Sequence, residues 1–190
     1  MATRIDATRS IGIVLAGGQS TRMGKDKAML RWNGRPLIEH QLALLRAAGV
    51  DEARASGHRP AYDGIADALP QIGPLGGLAG VAAELADDAE LLVIPVDMPL
   101  LTPALLQRLR FESRQSPCLR FMDHVLPMRL RLNACCRTRL DDLLHEDDPR
   151  RRSLRALQHA MGVEEIALSS DEAAQLTDCN TEATWKEVGA

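Results

Sequence analysis

Apolar and polar positions fall along this chain in blocks whose lengths separate strands from helices. SIGIVLA, beginning at Ser10, is a short run rich in Ile and Val and bounded by glycines, the pattern of a buried strand. PLIEHQLALLRAAG, residues 36–49, follows with apolar residues at Leu37, Ile38, Leu42 and Leu45, Pro36 in the first turn and Gly49 as the stop, the pattern of a helix. DEARASG is expected to hold the next strand by position, despite weak strand propensity, and ADALP is a fainter third candidate. GPLGGLAGVAAELADD then reads as a glycine-rich turn entering an Ala/Leu helix, and ELLVIPVDMPLL carries the strongest strand pattern in the chain.

The second half continues with a helix at PALLQRLRFESRQ, strands near CLRFM and VLPMRLRL, helices at TRLDDLLHE and RRSLRALQHAM, a last strand at VEEIAL, and short helices at DEAAQL and TEATWKEV. Strands that alternate with helices and read as continuous apolar runs predict a three-layer α/β/α fold around a mostly parallel sheet. With 190 residues and no long linker, repeat or low-complexity tract, one domain spanning 1–190 is expected. The polar stretch HEDDPRRR reads as an exposed turn.

Composition narrows the function classes. No run approaches the roughly 18 apolar residues of a membrane helix, and MATRIDATRS lacks the apolar core of a secretion signal, so a cytoplasmic protein without a membrane partner is expected. A net charge of −3, from 23 basic and 26 acidic residues, argues against a general nucleic-acid surface. Cys118, Cys135, Cys136 and Cys179 show no C-x-x-C spacing and are read as reduced, mostly buried thiols. None of the five histidines has a second ligand at metal spacing, and ordinary polar roles are expected of them.

Three stretches carry candidate chemistry. LAGGQSTRMGKDKAML, residues 15–30, sets Gly17, Gly18 and Gly24 beside Arg22, Lys25 and Lys27 directly after the first strand. Bare backbone lets N–H groups approach a phosphate, and the cations supply charge for a polyphosphate; the competing reading is a surface turn. Five residues separate Gly18 from Gly24 and Asp26 follows Lys25, which excludes a Walker A loop, and no G-x-G-x-x-G occurs. Asp97, in VIPVDMPLL, stands at the end of the strongest strand, where a carboxylate can hold Mg²⁺ or instead cap the helix entered at Pro103. The glycines of GPLGGLAG, residues 73–80, either admit a ligand to the backbone or let the following helix pack tightly. All three loops fall at strand ends of one sheet, where open α/β folds bind ligands.

In this order and spacing, LAGGQSTRMGKDKAML, GPLGGLAG and VDMPLL resemble the molybdenum cofactor guanylyltransferases, within the larger group of Rossmann-like nucleotidyltransferases. The resemblance implies transfer of GMP from GTP to molybdopterin or the molybdenum cofactor, with release of pyrophosphate and with Mg²⁺ as cofactor. It implies that Leu15, Ala16, Gly17 and Gly18 hold the nucleotide, Lys27 contacts its phosphates, Arg22 faces the leaving pyrophosphate, Asp97 binds the metal and Asp67 receives guanine. Ser56 stands where the family often has asparagine, and Asn180, in TDCNTEAT, stands on the pterin side, where the family pattern resembles N-x-N-T-P. Relatives that use CTP tend to read LAAG where this chain reads LAGG, and the glycine in place of the second alanine implies guanine. Other cofactor-biosynthesis proteins and acceptor apoenzymes are implied partners. The rival readings are a cytidylyltransferase acting on the same pterin, a sugar-phosphate nucleotidyltransferase, and a non-catalytic nucleotide-binding regulator.

Overall fold

A computed structural model describes residues 8–17, 26–69, 72–85, 88–113 and 115–189. The first strand, β1 (Ser10–Leu15), is buried along its whole length, and its alternate side chains enter two different cores. A two-stranded hairpin, β2 (Arg31–Trp32) and β3 (Arg35–Pro36), precedes α1 (Leu37–Ala47) and has no counterpart in the sequence reading. α1 buries Leu37, Ile38, Leu42 and Leu45, and the chain turns away at Gly49, where φ is +84°.

The weak DEARASG segment does form β4 (Glu52–Ser56), and parallel pairing with β1 supplies the support its propensity lacks. The described part of ADALP, residues 66–69, forms no strand. Ile65 makes a single parallel bridge to Ser56, after which the chain runs as coil beneath α2 (Pro74–Glu84). β5 (Ala89–Pro95) pairs with β1 on its other edge. α3 (Pro103–Phe111) starts at its proline as predicted, but Thr102 caps it by accepting from the Leu105 amide, so Asp97 is not that helix's cap.

β6 (Cys118–Phe121) and β7 (Met128–Leu132) follow, then α4 (Ala134–Leu144), which starts four residues ahead of the TRLDDLLHE pattern because Asn133 caps it by accepting from Cys136. α5 (Leu154–Ala160), β8 (Glu164–Ile166), α6 (Ser170–Ala174) and α7 (Glu182–Gly189) complete the chain. The main sheet runs β4-β1-β5-β7-β6-β8, and β7 is its one strand antiparallel to the rest among the described residues. α2, α4 and α5 cover one face and α1 and α3 the other, giving the expected three layers. No helix among the described residues is long and apolar enough to cross a membrane.

The chain leaves β1 for β4 on one side and reaches β5 on the other, so β1 is the topological switch point and the crevice opens beyond its carboxyl end. Gly80 lets α2 close on the coil that follows Ile65: a Cβ at this position would lie 2.1 Å from the Ala66 carbonyl oxygen. Gly80→Ala is therefore expected to cost about 2 kcal/mol and lower the thermal midpoint by about 4 to 8 °C, measured by calorimetry.

Candidate active site

A cleft of about 270 Å³ opens where β1, β4 and β5 end, with the first turn of α2 as a wall. β1 contributes Leu15 and is followed by Ala16 and Gly17; β4 ends in buried Ser56; β5 leads through Pro95 and Val96 into Asp97. Two backbones nearly touch at the floor. A Cβ on Gly57, whose φ is +99°, would lie 2.6 Å from the Cα of Gly17, and a Cβ on Gly17 would lie 2.9 Å from Oδ1 of Asp67. Side chains at these two positions would close the cleft from below.

Lys27 stands on a short 3₁₀ turn, Lys27–Met29, and its Nζ donates to Oδ2 of Asp97 at 2.9 Å and to Oδ1 of Asn180. The loop after β5 is anchored from α1: buried Gln41 donates through Nε2 to the Met98 carbonyl at 2.8 Å, and His40 donates Nε2–H to the Pro99 carbonyl at 3.3 Å. Burial, with help from nearby Arg35, holds the His40 imidazole below its usual range, which favours the neutral ring that makes this bond. The Cys179 amide donates to the Asp97 carbonyl at 2.8 Å and ties the C-terminal segment to the same loop.

Asp67 differs in kind. Its Oδ1 is buried without a hydrogen-bond partner among the described residues, and desolvation pushes its carboxyl above the ordinary range. Arg59, which also lines the cleft, grips Asp26 with both terminal nitrogens, and this hydrogen bonding holds the Asp26 carboxyl below its ordinary range.

Leu15, Ala16, Gly17, Lys27, Ser56, Asp67 and Asp97 thus line one cleft, and Asn180 joins them through Lys27. Gly18 and Arg22 lie outside the described residues. Gly76 and Gly80 serve packing of α2 on the Ala66–Leu69 coil, whereas Gly77 lines the cleft. Sequence reasoning missed Gln41, Asp26 and Arg59. Gln41 had a signal, being a polar residue on the apolar stripe of α1; Arg59 had none. Buried Cys118 and Cys136 have thiols pushed up to about 12 and about 11, and Cys179 to about 11, all chiefly by burial, as expected of inert thiols.

Among the described residues no group of three His, Cys, Asp or Glu is placed to hold a metal. Asp97 fits a divalent cation in another way. Only its Oδ2 is engaged among the described residues, and Mg²⁺ is commonly held by one or two carboxylates together with substrate phosphates and water.

Residues 12–161 match the model of the MobA-like NTP transferase domain. The chain belongs to the MobA-like NTP transferase family. Over 177 residues it is 50% identical to the molybdenum cofactor guanylyltransferase of Xanthomonas euvesicatoria pv. vesicatoria, with 93% of each chain covered. Over 153 residues it is 37% identical to the molybdenum cofactor guanylyltransferase of Pseudomonas syringae pv. tomato, covering 73% of this chain and 76% of that one. In fold it is similar to the crystal structure of molybdopterin-guanine dinucleotide biosynthesis protein A from Archaeoglobus fulgidus, with a TM-score of 0.73, 16% identity, and 94% and 96% of the two chains covered. The MobA-like match begins within β1, takes in β4 and β5, and stops ahead of the segment that carries Asn180.

The raised Asp67 carboxyl has a measurable consequence. Below the ordinary carboxylate range Asp67 is protonated in both folded and unfolded chains and costs the fold nothing; as pH rises through its raised folded value, stability falls. Asp67→Asn removes that loss. Its thermal midpoint at pH 7 is expected above that of wild type, and the gap is expected to close as the pH is lowered through the ordinary carboxylate range. Scanning calorimetry across this range checks it.

Proposed function

We propose that this chain transfers GMP from GTP to molybdopterin, forming the guanine dinucleotide cofactor and pyrophosphate, in the cytoplasm and with Mg²⁺. The observation that carries the reading is the pairing, in one cleft, of an unpartnered buried carboxylate oxygen on Asp67 with the Lys27–Asp97 pair. Guanine offers an N1–H and an exocyclic amine side by side, and a carboxylate accepts both at once. Cytosine presents no such pair and would leave Asp67 buried and unmatched.

With the base at Asp67 and over Gly17, the triphosphate runs toward Lys27 and Asp97. A phosphate oxygen of the pterin attacks the α-phosphorus, the bond to the β-phosphate bridging oxygen breaks, and pyrophosphate carries away the electron pair. The nucleophile is already anionic, so no strong base is required; the need is to neutralise charge on the α-phosphate and the leaving group. Lys27 and Arg22 supply positive charge for this, and Ser56 offers a hydroxyl that both donates and accepts. Asp97 would hold Mg²⁺, which when bound would supply further charge neutralisation at the triphosphate. Asn180, which accepts from Lys27, fixes that ammonium on the side from which the pterin approaches.

The test is to incubate the protein with each nucleoside triphosphate, Mg²⁺ and molybdopterin, measure pyrophosphate and identify the dinucleotide by mass. The guanine product is expected, and a cytosine product replaces this reading with the cytidylyltransferase. GTP is expected to stabilise the wild type in thermal-shift titrations with about ten- to a hundredfold preference over CTP, and Asp67→Ala to abolish most of it. Asp97→Asn is expected to fold within about 2 °C of wild type and to lose roughly a hundredfold or more in pyrophosphate release. Lys27→Ala is expected to lose far more rate than Lys25→Ala, and equal losses in the same assay would displace Lys27 from its role.

A further inference from the structure

Arg59 sits three residues beyond β4 with its side chain 17% exposed, and both edges of its guanidinium are occupied. One edge, Nε and Nη2, donates to the Ala16 carbonyl at 3.3 and 2.8 Å. The other, Nη1 and Nη2, grips the two carboxylate oxygens of Asp26, with Nη2 at 2.8 Å from Oδ1. Ala16 is the first residue after β1. Asp26 is the cap of the turn that carries Lys27, since its Oδ1 also accepts from the Ala28 amide at 3.1 Å.

The base of Arg59 is equally constrained. Its carbonyl accepts from the amides of Tyr62 at 2.9 Å and Gly64 at 3.0 Å, and a Cβ on Gly64 would meet the Arg59 Cβ at 2.5 Å. One side chain therefore bridges, from a fixed backbone, the end of β1 and the cap of the Lys27 turn. A planar fork suits this task, because it aims parallel donors at both carboxylate oxygens and a further edge at the carbonyl, whereas an ammonium is a point charge with no fixed bidentate geometry.

We infer that Arg59 is a positioning residue: through Asp26 it sets Lys27 at a fixed place relative to the end of β1, and so governs binding of the polyphosphate half of the nucleotide. The inference rests on the nucleotide-binding reading above. The Arg59 guanidinium is bound to the Ala16 carbonyl and to Asp26, and makes no hydrogen bond to Asp67, where the base is proposed to sit. Loss of Arg59 frees Asp26, and with it the turn on which Lys27 stands, so the phosphates lose the benefit of a pre-placed ammonium.

The experiment is a double-mutant cycle on binding, with Arg59→Ala, Lys27→Ala and the double variant titrated with GTP and with guanosine by calorimetry in the presence of Mg²⁺. Each single variant is expected to weaken GTP about tenfold, and the double variant to bind GTP no more weakly than Lys27→Ala alone, because Arg59 acts through Lys27. Guanosine affinity is expected to stay within about twofold in Arg59→Ala. Losses that multiply to about a hundredfold in the double variant overturn the inference, as does a guanosine loss equal to the GTP loss. Should Arg59→Ala not fold by circular dichroism, Arg59→Lys replaces it, with a smaller GTP loss that must vanish in the Lys27→Ala background. A wild type that binds another triphosphate instead of GTP overturns the guanylyl reading, and the cycle is then run with that nucleotide; a wild type that binds none overturns both.

Discussion

The parallel pairing of β1 with both neighbours fixes where everything else can be. Leu15 is level with Ser56 on one side and with Pro95 on the other, so three strands reach their carboxyl ends at a common height. The next residues, Ala16, Gly57 and Val96, then leave the sheet together, and the cleft is the space between their diverging loops. A slip of one residue in either pairing would invert the faces of a strand buried on both sides and would also separate Leu15 from Ser56 or Pro95. The hydrophobic cores on the two faces hold that register, and the site inherits its geometry from them.

Onto this frame the sequence places charges that do not stabilise the fold equally. Asp26 and Asp97 each have a cationic partner, Arg59 and Lys27 respectively, whereas Asp67 has none among the described residues and a carboxyl kept above its ordinary range by burial. A buried acceptor without a donor is a cost in the free protein that a ligand with two donors removes on binding. In the proposed guanine role the same residue lowers stability in the free protein and raises selectivity, the exchange expected where a fold is shaped by its ligand.

Much of this was legible in the chain, for identifiable reasons. β1, α1 and β5 combine strong periodicity with clear stops, and their loops carry the glycines and Asp97 that point to the site. ADALP misled because the backbone of residues 66–69 lies against the glycines of α2 rather than pairing in the sheet, and the start of α4 was hidden by a cap, Asn133, ahead of an irregular pair of cysteines. Arg59 was invisible because its role depends on two partners 33 and 43 residues away that only the fold brings together. Gln41 is the intermediate case: its place on an apolar stripe signals a buried partner, but nothing in the sequence says that the partner is the loop holding Asp97.

The C-terminal segment shows how a stretch with weak motifs still enters the site. It departs from the family pattern by lacking the proline, yet Thr181 accepts from the Thr184 amide and starts α7. Trp185 of α7 then packs edge-on against Trp32, with centroids 5.7 Å apart, and Trp32 packs against His40, which holds the Asp97 loop through Pro99. Backbone pairing of Cys179 with Asp97 and the Asn180 contact with Lys27 close the circuit from the other side. The C-terminal segment thus reaches the Lys27–Asp97 ion pair, held there by a cap, an aromatic contact and a backbone hydrogen bond. None of the three demands a particular motif, so the segment can vary in sequence while still delivering an amide oxygen to Lys27.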